Sequence, residues 1–241
     1  MRSQTPPDSV IYAIGDIHGR LDLLVEMHDR IATDARQRST QSKLVVYLGD
    51  YVSRGEDSRR VVDRVLEWLP EGFERITLKG NHEDLLLRFL DGDLDAGRHW
   101  FDYDGLDTLA HYGVAVPDRQ TRDDASVAVL RDRFAAALPQ SHLEFFRSLP
   151  ASHRAGDYYF VHGGVRPGVP LPEQSEHDCM WIRKSFLDSD VDHGAVVVHG
   201  HSISSAPVVR HNRIGIDTGA YRSGVLTCLV LDATTRSFLQ T

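Results

Sequence analysis

The chain has 241 residues, of which 41% are hydrophobic and 26% are charged, and its formal net charge is −8. This composition is close to that of an average globular protein, which argues against a disordered, collagen-like or coiled-coil chain, and the length favours one domain. The acidic balance disfavours a nucleic-acid surface, which needs an excess of Lys and Arg. It leaves room for a small anionic substrate, because a few arginines and a metal can make a local positive pocket.

The first part of the chain alternates short β-branched runs with amphipathic segments, which is typical of β-α units. Three strands are predicted at 10–14, 43–48 and 75–79, and three helices at 20–37, 57–69 and 83–90. Each of these strands ends in a Gly-Asp or Gly-Asn pair.

The segment 91–155 has a weaker pattern, which predicts a mostly helical insertion with turns near 113–117 and at Pro139. Strand patterns then return, at 158–161, 195–198, 207–209, 214–216, 225–231 and 235–239. The whole chain, 1–241, is therefore predicted to be one α/β domain in which helices cover a sheet. Its second half is expected to add antiparallel strands.

Polar side chains that can bind a metal follow five of the predicted strands. They are Asp16 and His18 in GDIHG, Asp50 in GDYVSRG, Asn81 and His82 in GNHE, His162 in HGG, and His199 and His201 in HGH. In open α/β sheets ligands bind at the carboxyl ends of the strands. The sequence therefore predicts that these side chains converge on one pocket.

The expected ligand set mixes oxygen and nitrogen donors and contains no thiolate. Such a set suits Mn²⁺, Fe or Zn²⁺ better than Ca²⁺ or Mg²⁺. Six ligands exceed the three protein ligands of a catalytic zinc and fit two metals that share a carboxylate. Two metals about 3.5–4 Å apart activate a bridging water and neutralise phosphate oxygens. We expect two divalent metal ions, with Mn first and Fe or Zn as alternatives.

In order and spacing, these motifs resemble the phosphoprotein phosphatase family of metallophosphoesterases, whose pattern runs GDxHG, GDxVDRG, GNHE, a histidine before Gly-Gly, and GHT or GHS. This chain has GDIHG at 15–19, GDYVSRG at 49–55, GNHE at 80–83, HGG at 162–164 and GHS at 200–202. The resemblance implies a metallophosphoesterase-type β-sandwich flanked by α-helices, with the metal site at the carboxyl ends of the strands. Compact bacterial members include serine/threonine protein phosphatases and symmetrical diadenosine tetraphosphatases.

The resemblance also implies a role for each matching residue. The implied metal ligands are Asp16 and His18 for the first ion, Asp50 as the bridge, and Asn81, His162 and His201 for the second. His82 is implied as the general acid that protonates the leaving oxygen. Arg54 and Arg183 are implied as phosphate-binding residues, since a planar guanidinium donates two parallel hydrogen bonds to an oxyanion.

Ser53 departs from the family pattern, which has Asp at this position. That Asp hydrogen-bonds the general-acid histidine, here His82, and favours its protonated form. A serine accepts a hydrogen bond but brings no charge, so we expect the pKa of His82 to be lower than in a relative with Asp. Turnover of alkyl phosphates is then expected to fall more than turnover of aryl phosphates. Ser53 is grouped with His82 and Arg54 as candidate catalytic residues.

The sequence predicts a one-step phosphoester hydrolase with a metal-bridging hydroxide as nucleophile. The first expected substrate is a phosphoprotein or phosphopeptide, which makes a serine/threonine protein phosphatase the main prediction. The alternative is a diadenosine tetraphosphatase or other nucleotide phosphohydrolase, with a dinucleoside polyphosphate as substrate. An attenuated phosphate-binding module is a third reading, supported by Ser53 alone.

The location of the protein is predicted from what its sequence lacks. The N-terminal segment has no apolar run of the signal-peptide type, and no stretch approaches the roughly 18 apolar residues of a membrane span. Cys179 and Cys228 have no metal-like spacing and are expected to be free thiols. We expect a cytoplasmic protein with neither nucleic-acid nor membrane partners.

Overall fold

The computed structural model describes residues 3–116 and 122–241. These residues form ten strands, namely β1 (Ser9–Ile14), β2 (Ser42–Tyr47), β3 (Phe73–Thr77), β4 (Ser152–Ala155), β5 (Tyr158–Val161), β6 (Val196–His199), β7 (Val208–Val209), β8 (Arg213–Gly215), β9 (Thr227–Asp232) and β10 (Thr235–Gln240). They make two five-stranded sheets, in the orders β10-β9-β1-β2-β3 and β4-β5-β6-β8-β7.

Helices connect the strands and cover the outer faces of the sheets. They are α1 (Leu21–Arg36), α2 (Ser58–Glu67), α3 (Asn81–Leu90), α4 (Leu94–Phe101), α5 (Gly105–His111), α6 (Asp124–Ala137), α7 (Gln140–Ser148), α8 (Glu176–Trp181), α9 (Lys184–Leu187) and α10 (Ala220–Ser223), with a 3₁₀ turn at Leu171–Glu173. Within residues 3–116 and 122–241, no helix has both the length and the apolar character needed to cross a membrane.

Both sheets are mixed. In the first, β1, β2 and β3 are parallel, whereas β9 runs antiparallel to β1 and to β10. In the second, β5, β6 and β8 are parallel, and the edge strands β4 and β7 are antiparallel to their neighbours. The carboxyl ends of the central parallel strands are where the predicted ligands follow, which positions the site.

The central strand β1 divides its side chains between two cores, as the two-residue period of a strand requires. Val10, Tyr12 and Ile14 pack with the helices on the outer face of the first sheet. Ile11 and Ala13 pack in a core between the sheets, together with Tyr158, Phe160, Val196, Val198 and Ile214 of the second sheet. The predicted α/β fold, a metallophosphoesterase-type sandwich flanked by helices, is confirmed.

The segment predicted as a helical insertion contains α4, α5, α6 and α7, but it ends in a strand. The strand β4 was not predicted, because Ser152–Ala155 is four residues long, polar in its first three positions and paired on one side only. Pro117, part of a predicted turn, lies outside the described residues. The division of the chain into one domain with an insertion at 91–155 stays a prediction.

Candidate metal centre

The predicted ligands lie in the short loops that follow the parallel strands. Asp16 follows β1, Asp50 follows β2, His162 follows β5 and His201 follows β6, while Asn81 is the first residue of α3. These five side chains and that of His18, the sixth predicted ligand, are buried, at most 6% exposed. Five of the six line a cavity of about 520 Å³, and His162 lies directly behind Asn81 and His201. Ligands from both sheets therefore meet at one place.

Asp50 is at the centre of the site. Its Oδ2 atom lies 3.4 Å from Nε2 of His18 and 3.4 Å from Nε2 of His162. Two groups of potential metal ligands share it, one with His18 and His82 and one with His162 and His201. A carboxylate common to two groups is placed to bridge two cations.

Backbone carbonyls fix which nitrogen two of the histidines present to the centre. Nδ1 of His18 lies 2.9 Å from the carbonyl oxygen of Val52, and Nδ1 of His162 lies 2.9 Å from that of Leu48. A carbonyl can only accept, so each Nδ1 carries the proton and donates. Both Nε2 lone pairs are then free to bind a cation, which is the usual arrangement of metal-ligating histidines.

The buried carboxylates of the site show an excess of negative charge. Burial raises the pKa of Asp16 well above its ordinary value, and repulsion from Asp217 and Asp50 adds to this. Burial likewise raises the pKa of Asp50, with repulsion from Glu83 next. Buried charges of one sign need a counter-charge. The mixed oxygen and nitrogen donors fit divalent cations at this position.

Two of the predicted ligands, Asp16 and Asn81, make polar contacts with neighbouring residues of the site. The carboxylate of Asp16 accepts the backbone N–H of His201, at 3.0 and 3.2 Å, and lies beside Asp217. Oδ1 of Asn81 lies 2.9 Å from Nε2 of His162. Both residues are thus at the centre, although Asp16 belongs to neither group around Asp50. The roles implied for these ligands stay predictions.

Both predicted phosphate-binding arginines line the cavity. The guanidinium carbon of Arg54 lies 5.4 Å from the ring centre of Tyr103 and 5.1 Å from that of Tyr221. Nε of Arg183 donates to Nε2 of His201 at 2.8 Å. The two guanidinium groups can therefore bind an anionic substrate that also contacts metal ions held by the buried carboxylates.

The loops of the site use a backbone conformation that is costly for residues with a side chain. Five such residues have a positive φ, namely His18 (47°), Asp50 (53°), Ser53 (70°), Arg54 (70°) and His201 (60°). Gly80 shows how tightly the loops approach, because a Cβ there would overlap the backbone nitrogen and the carboxylate of Asp50. Strain of this kind persists where the surrounding structure enforces it, and it is concentrated at functional sites.

Ser53 does not take the place of the family's carboxylate. Its hydroxyl oxygen accepts from Nε1 of Trp100 at 2.9 Å and lies 3.4 Å from that of Thr108. Nδ1 of His82 is buried and has no hydrogen-bond partner within the described part of the chain. Burial, followed by repulsion from His18, lowers the pKa of His82 well below its ordinary value. The structure therefore places Ser53 in the packing behind the site.

Glu83 is a residue of the site to which the sequence analysis gave no role. Its carboxylate accepts the backbone N–H groups of Asp50 at 2.9 Å, Tyr51 at 2.9 Å and Gly80 at 3.0 Å. It ties the loop after β2 to the start of α3 and so fixes Asp50. The glutamate of the GNHE motif was the feature of the sequence that could have indicated this residue.

Aromatic residues of the cavity wall were also missed. Tyr103, Trp181 and Tyr221 line the cavity. Nothing in the local sequence pattern of Trp181 distinguishes it from Trp68 or Trp100. His199, by contrast, is buried against Phe186 and belongs to neither ligand group.

Residues 9–223 match the model of the calcineurin-like phosphoesterase family. The chain belongs to this family. The family predicted from the motifs is confirmed, and the protein is a metallophosphoesterase, a hydrolase of a family that uses a dinuclear divalent metal centre.

Curated relatives of this metallophosphoesterase carry one name. A protein of Halalkalibacterium halodurans is 24% identical over 90% of this chain and 87% of its own length, and one of Anoxybacillus flavithermus is 26% identical over 90% and 88%. Both are called bis(5'-nucleosyl)-tetraphosphatase PrpE [asymmetrical].

Solved structures share the fold at low sequence identity. A structure described as a candidate diadenosine tetraphosphatase has a TM-score of 0.65 at 18% identity and covers 100% of this chain and 98% of its own. A cold-active protein-tyrosine phosphatase of a Shewanella species has a TM-score of 0.55 at 18% identity, with 98% and 83% covered. These similarities establish the sandwich fold and leave the substrate to be argued from the site.

Proposed function

We propose that this metallophosphoesterase hydrolyses dinucleoside polyphosphates, with diadenosine tetraphosphate as the representative substrate. The observation that carries the proposal is that Nδ1 of His82 has no hydrogen-bond partner among residues 3–116 and 122–241. An alkyl phosphate, such as phosphothreonine, releases an alkoxide that needs a well-oriented general acid. A phosphoanhydride releases a nucleotide, which leaves readily without a proton. The site is thus better suited to an anhydride than to a phosphoserine or phosphothreonine ester.

Two further observations support the nucleotide over the protein substrate, which the sequence analysis placed first. The cavity of about 520 Å³ lies within the range of small-molecule sites and has aromatic side chains in its wall. The curated relatives, at 24–26% identity, are named for dinucleoside tetraphosphate hydrolysis.

Each group of residues in the site has its own role in this reaction. His18, Asp50, His162 and His201 would hold two divalent cations with Asp16 and Asn81, and when bound these supply charge neutralisation and a more acidic attacking water. Arg54 and Arg183 orient the phosphate by their charge and hydrogen-bond donors. His82, with Nε2 3.9 Å from Asp50 Oδ2, faces the reacting phosphate from inside the cavity.

The test compares two substrates on the Mn²⁺-loaded protein, diadenosine tetraphosphate and a phosphothreonine peptide. We expect turnover of the dinucleotide to give AMP and ATP, resolved by chromatography, and slow or no phosphate release from the peptide. Asp16→Asn is expected to lose activity, whereas the exposed Asp29→Asn is the matched control.

Other outcomes have definite meanings. Turnover of the peptide alone would overturn the proposal in favour of a protein phosphatase with the same metal centre. Binding of Mn²⁺ and phosphate without turnover of either substrate would favour the phosphate-binding module.

A further inference from the structure

A row of aromatic and cationic side chains runs along one wall of the cavity, beside the predicted metal ligands His18 and His201. Arg54 lies between the rings of Tyr221 and Tyr103. The ring of His99 lies 5.2 Å from that of Tyr103 and 5.8 Å from that of Trp181. The row therefore runs from Arg54 to the indole of Trp181, and both side chains line the cavity.

Trp181 differs from the other tryptophans in its surroundings. Trp100 is fully buried and donates a hydrogen bond to Ser53, whereas Trp68 is half-buried, stacks on His28 and does not line the cavity. Trp181 is half-buried and lines the cavity. An indole in that position offers a large planar surface to whatever enters.

The indole of Trp181 is held in a fixed orientation. Its Nε1–H donates to the carboxylate of Asp84 at 3.3 Å. The imidazoles of His99 and His177, both on exposed side chains, lie nearly parallel to it, at interplanar angles of 20° and 19° and centroid distances of 5.8 and 6.1 Å. These are the separations of offset-stacked rings. The indole is thus held in place by its neighbours, and the part of it that lines the cavity is the part that a ligand can contact.

The position of this surface relative to the phosphate site is set by a short stretch of chain. Trp181 ends α8, and Arg183, which contacts the metal ligand His201, follows two residues later. The rings of Trp181 and His201 are 6.5 Å apart at their centres. A nucleotide whose phosphate is held at Arg183 can therefore place its base, which is joined to that phosphate through the ribose, against Trp181.

We propose that Trp181, with His99 and His177 beside it, is a nucleobase-stacking subsite that selects nucleotide substrates from other phosphoanhydrides. The inference rests on the proposed function and goes further by assigning the residues that recognise the base. Stacking of a base on an aromatic side chain contributes about 1–3 kcal/mol and tolerates any base. The subsite thus selects for a base without selecting which one.

The test measures binding rather than turnover, on the Mn²⁺-loaded protein. The two probes are α,β-methylene-ADP, which resists hydrolysis, and methylenediphosphonate, which has the same anionic group without a nucleoside. We expect Trp181→Ala to raise the calorimetric Kd of the nucleotide relative to that of the diphosphonate by at least about fivefold, equivalent to about 1 kcal/mol. Trp181→Phe should restore most of the ratio, and the exposed His211→Ala should leave it unchanged.

Tryptophan fluorescence gives a second readout. The nucleotide should quench the wild-type emission, the diphosphonate should not, and Trp181→Phe should lose the quenching while Trp68 and Trp100 still emit. A Kd ratio that Trp181→Ala leaves unchanged would overturn the subsite. Quenching by a phosphotyrosine peptide but not by the nucleotide would also overturn it.

The subsite and the proposed function fail in different ways. If the wild type cleaves diadenosine tetraphosphate but the Kd ratio does not depend on Trp181, the subsite is wrong and the function stands. If the Kd ratio depends on Trp181 but the dinucleotide is not cleaved, the subsite stands and the proposed substrate is wrong.

Discussion

Ser53 stands at the position where the family pattern has Asp, and its contacts lead away from His82. Its hydroxyl oxygen accepts a hydrogen bond from Nε1 of Trp100 at 2.9 Å, and its backbone N–H donates to Oγ1 of Thr108 at 3.0 Å. Neither contact reaches His82, whose Nδ1 is buried and without a partner in residues 3–116 and 122–241. The ring of His82 stands edge-on to His18 at a centroid distance of 4.7 Å, and its Nε2 lies 3.9 Å from Oδ2 of Asp50.

Ser53→Asp is expected to restore a carboxylate beside His82 while still accepting from Trp100. Because a positioned general acid contributes about 10²-fold or more, kcat/KM for the phosphothreonine peptide should rise by about 10²-fold relative to that for p-nitrophenyl phosphate. Ser53→Asn, similar in shape but uncharged, is the matched control. A peptide-to-aryl ratio that is the same in all three proteins would contradict the role assigned to this position.

At the scale of the elements, contacts between α1, α2 and β2 predict that acid destabilises the fold. His28 on α1 is fully buried, with Nε2 2.8 Å from the Tyr47 hydroxyl on β2. Arg64 on α2 donates from Nε to His28 Nδ1 at 3.0 Å. Nδ1 therefore accepts and cannot carry a proton without losing this bond. Burial, and then the charge of Arg64, lowers the pKa of His28 to about 2.

The free energy of unfolding should therefore fall as the pH drops below 6.5. Unfolded His28 takes up a proton near its ordinary pKa of 6.5, whereas folded His28 stays neutral down to a pKa of about 2. Acid then favours the unfolded chain, by about 1.4 kcal/mol at one pH unit below the ordinary value. Urea unfolding at pH 7.5 and 5.5 should show a smaller loss for His28→Gln than for the wild type. The exposed His211→Gln should behave as the wild type, and equal losses in all three would contradict the assignment.

At the scale of the whole molecule, the metal centre joins the two sheets. Asp50 follows β2 of the first sheet, whereas His162 and His201 follow β5 and β6 of the second. In the metal-free protein the buried Asp50 carboxylate is unfavourable, because burial raises its pKa well above the ordinary value. A cation bound there both removes this cost and links the layers of the sandwich.

Mn²⁺ should therefore raise the melting temperature of the wild type, and a chelator should reverse the rise. A ligand at a hundred times its Kd stabilises the native state by about 2.7 kcal/mol. Asp50→Asn should lose most of this increase without melting lower than the metal-free wild type, since it removes the unneutralised charge. Calorimetric scans with and without Mn²⁺ test this, with Asp29→Asn as control. An equal metal-dependent rise in Asp50→Asn would show that Asp50 does not hold the cations.

The sequence alone determined which residues could form the centre and at which end of the sheets they would lie. The reason is local: a β-branched run followed by Gly-Asp or Gly-Asn specifies a strand and the polar turn after it, and parallel neighbours place those turns at one edge. The fold class and the family followed from the same motifs. The edge strand Ser152–Ala155 was missed because it is only four residues long, is polar in its first three positions and pairs on one side only, with the adjacent strand β5.

Only the tertiary structure decided how the site is completed. Ser53 accepts a hydrogen bond from Trp100, which is 47 residues away in the sequence. Trp181 donates one to Asp84, which is 97 residues away. Neither contact can be read from the neighbouring sequence. The sequence therefore could not show that Nδ1 of His82 has no partner in the described part of the chain, or that Trp181 alone of the three tryptophans lines the cavity. The predicted metal ligands lie in short motifs, whereas the surroundings of His82 and the aromatic wall of the cavity depend on how remote segments pack.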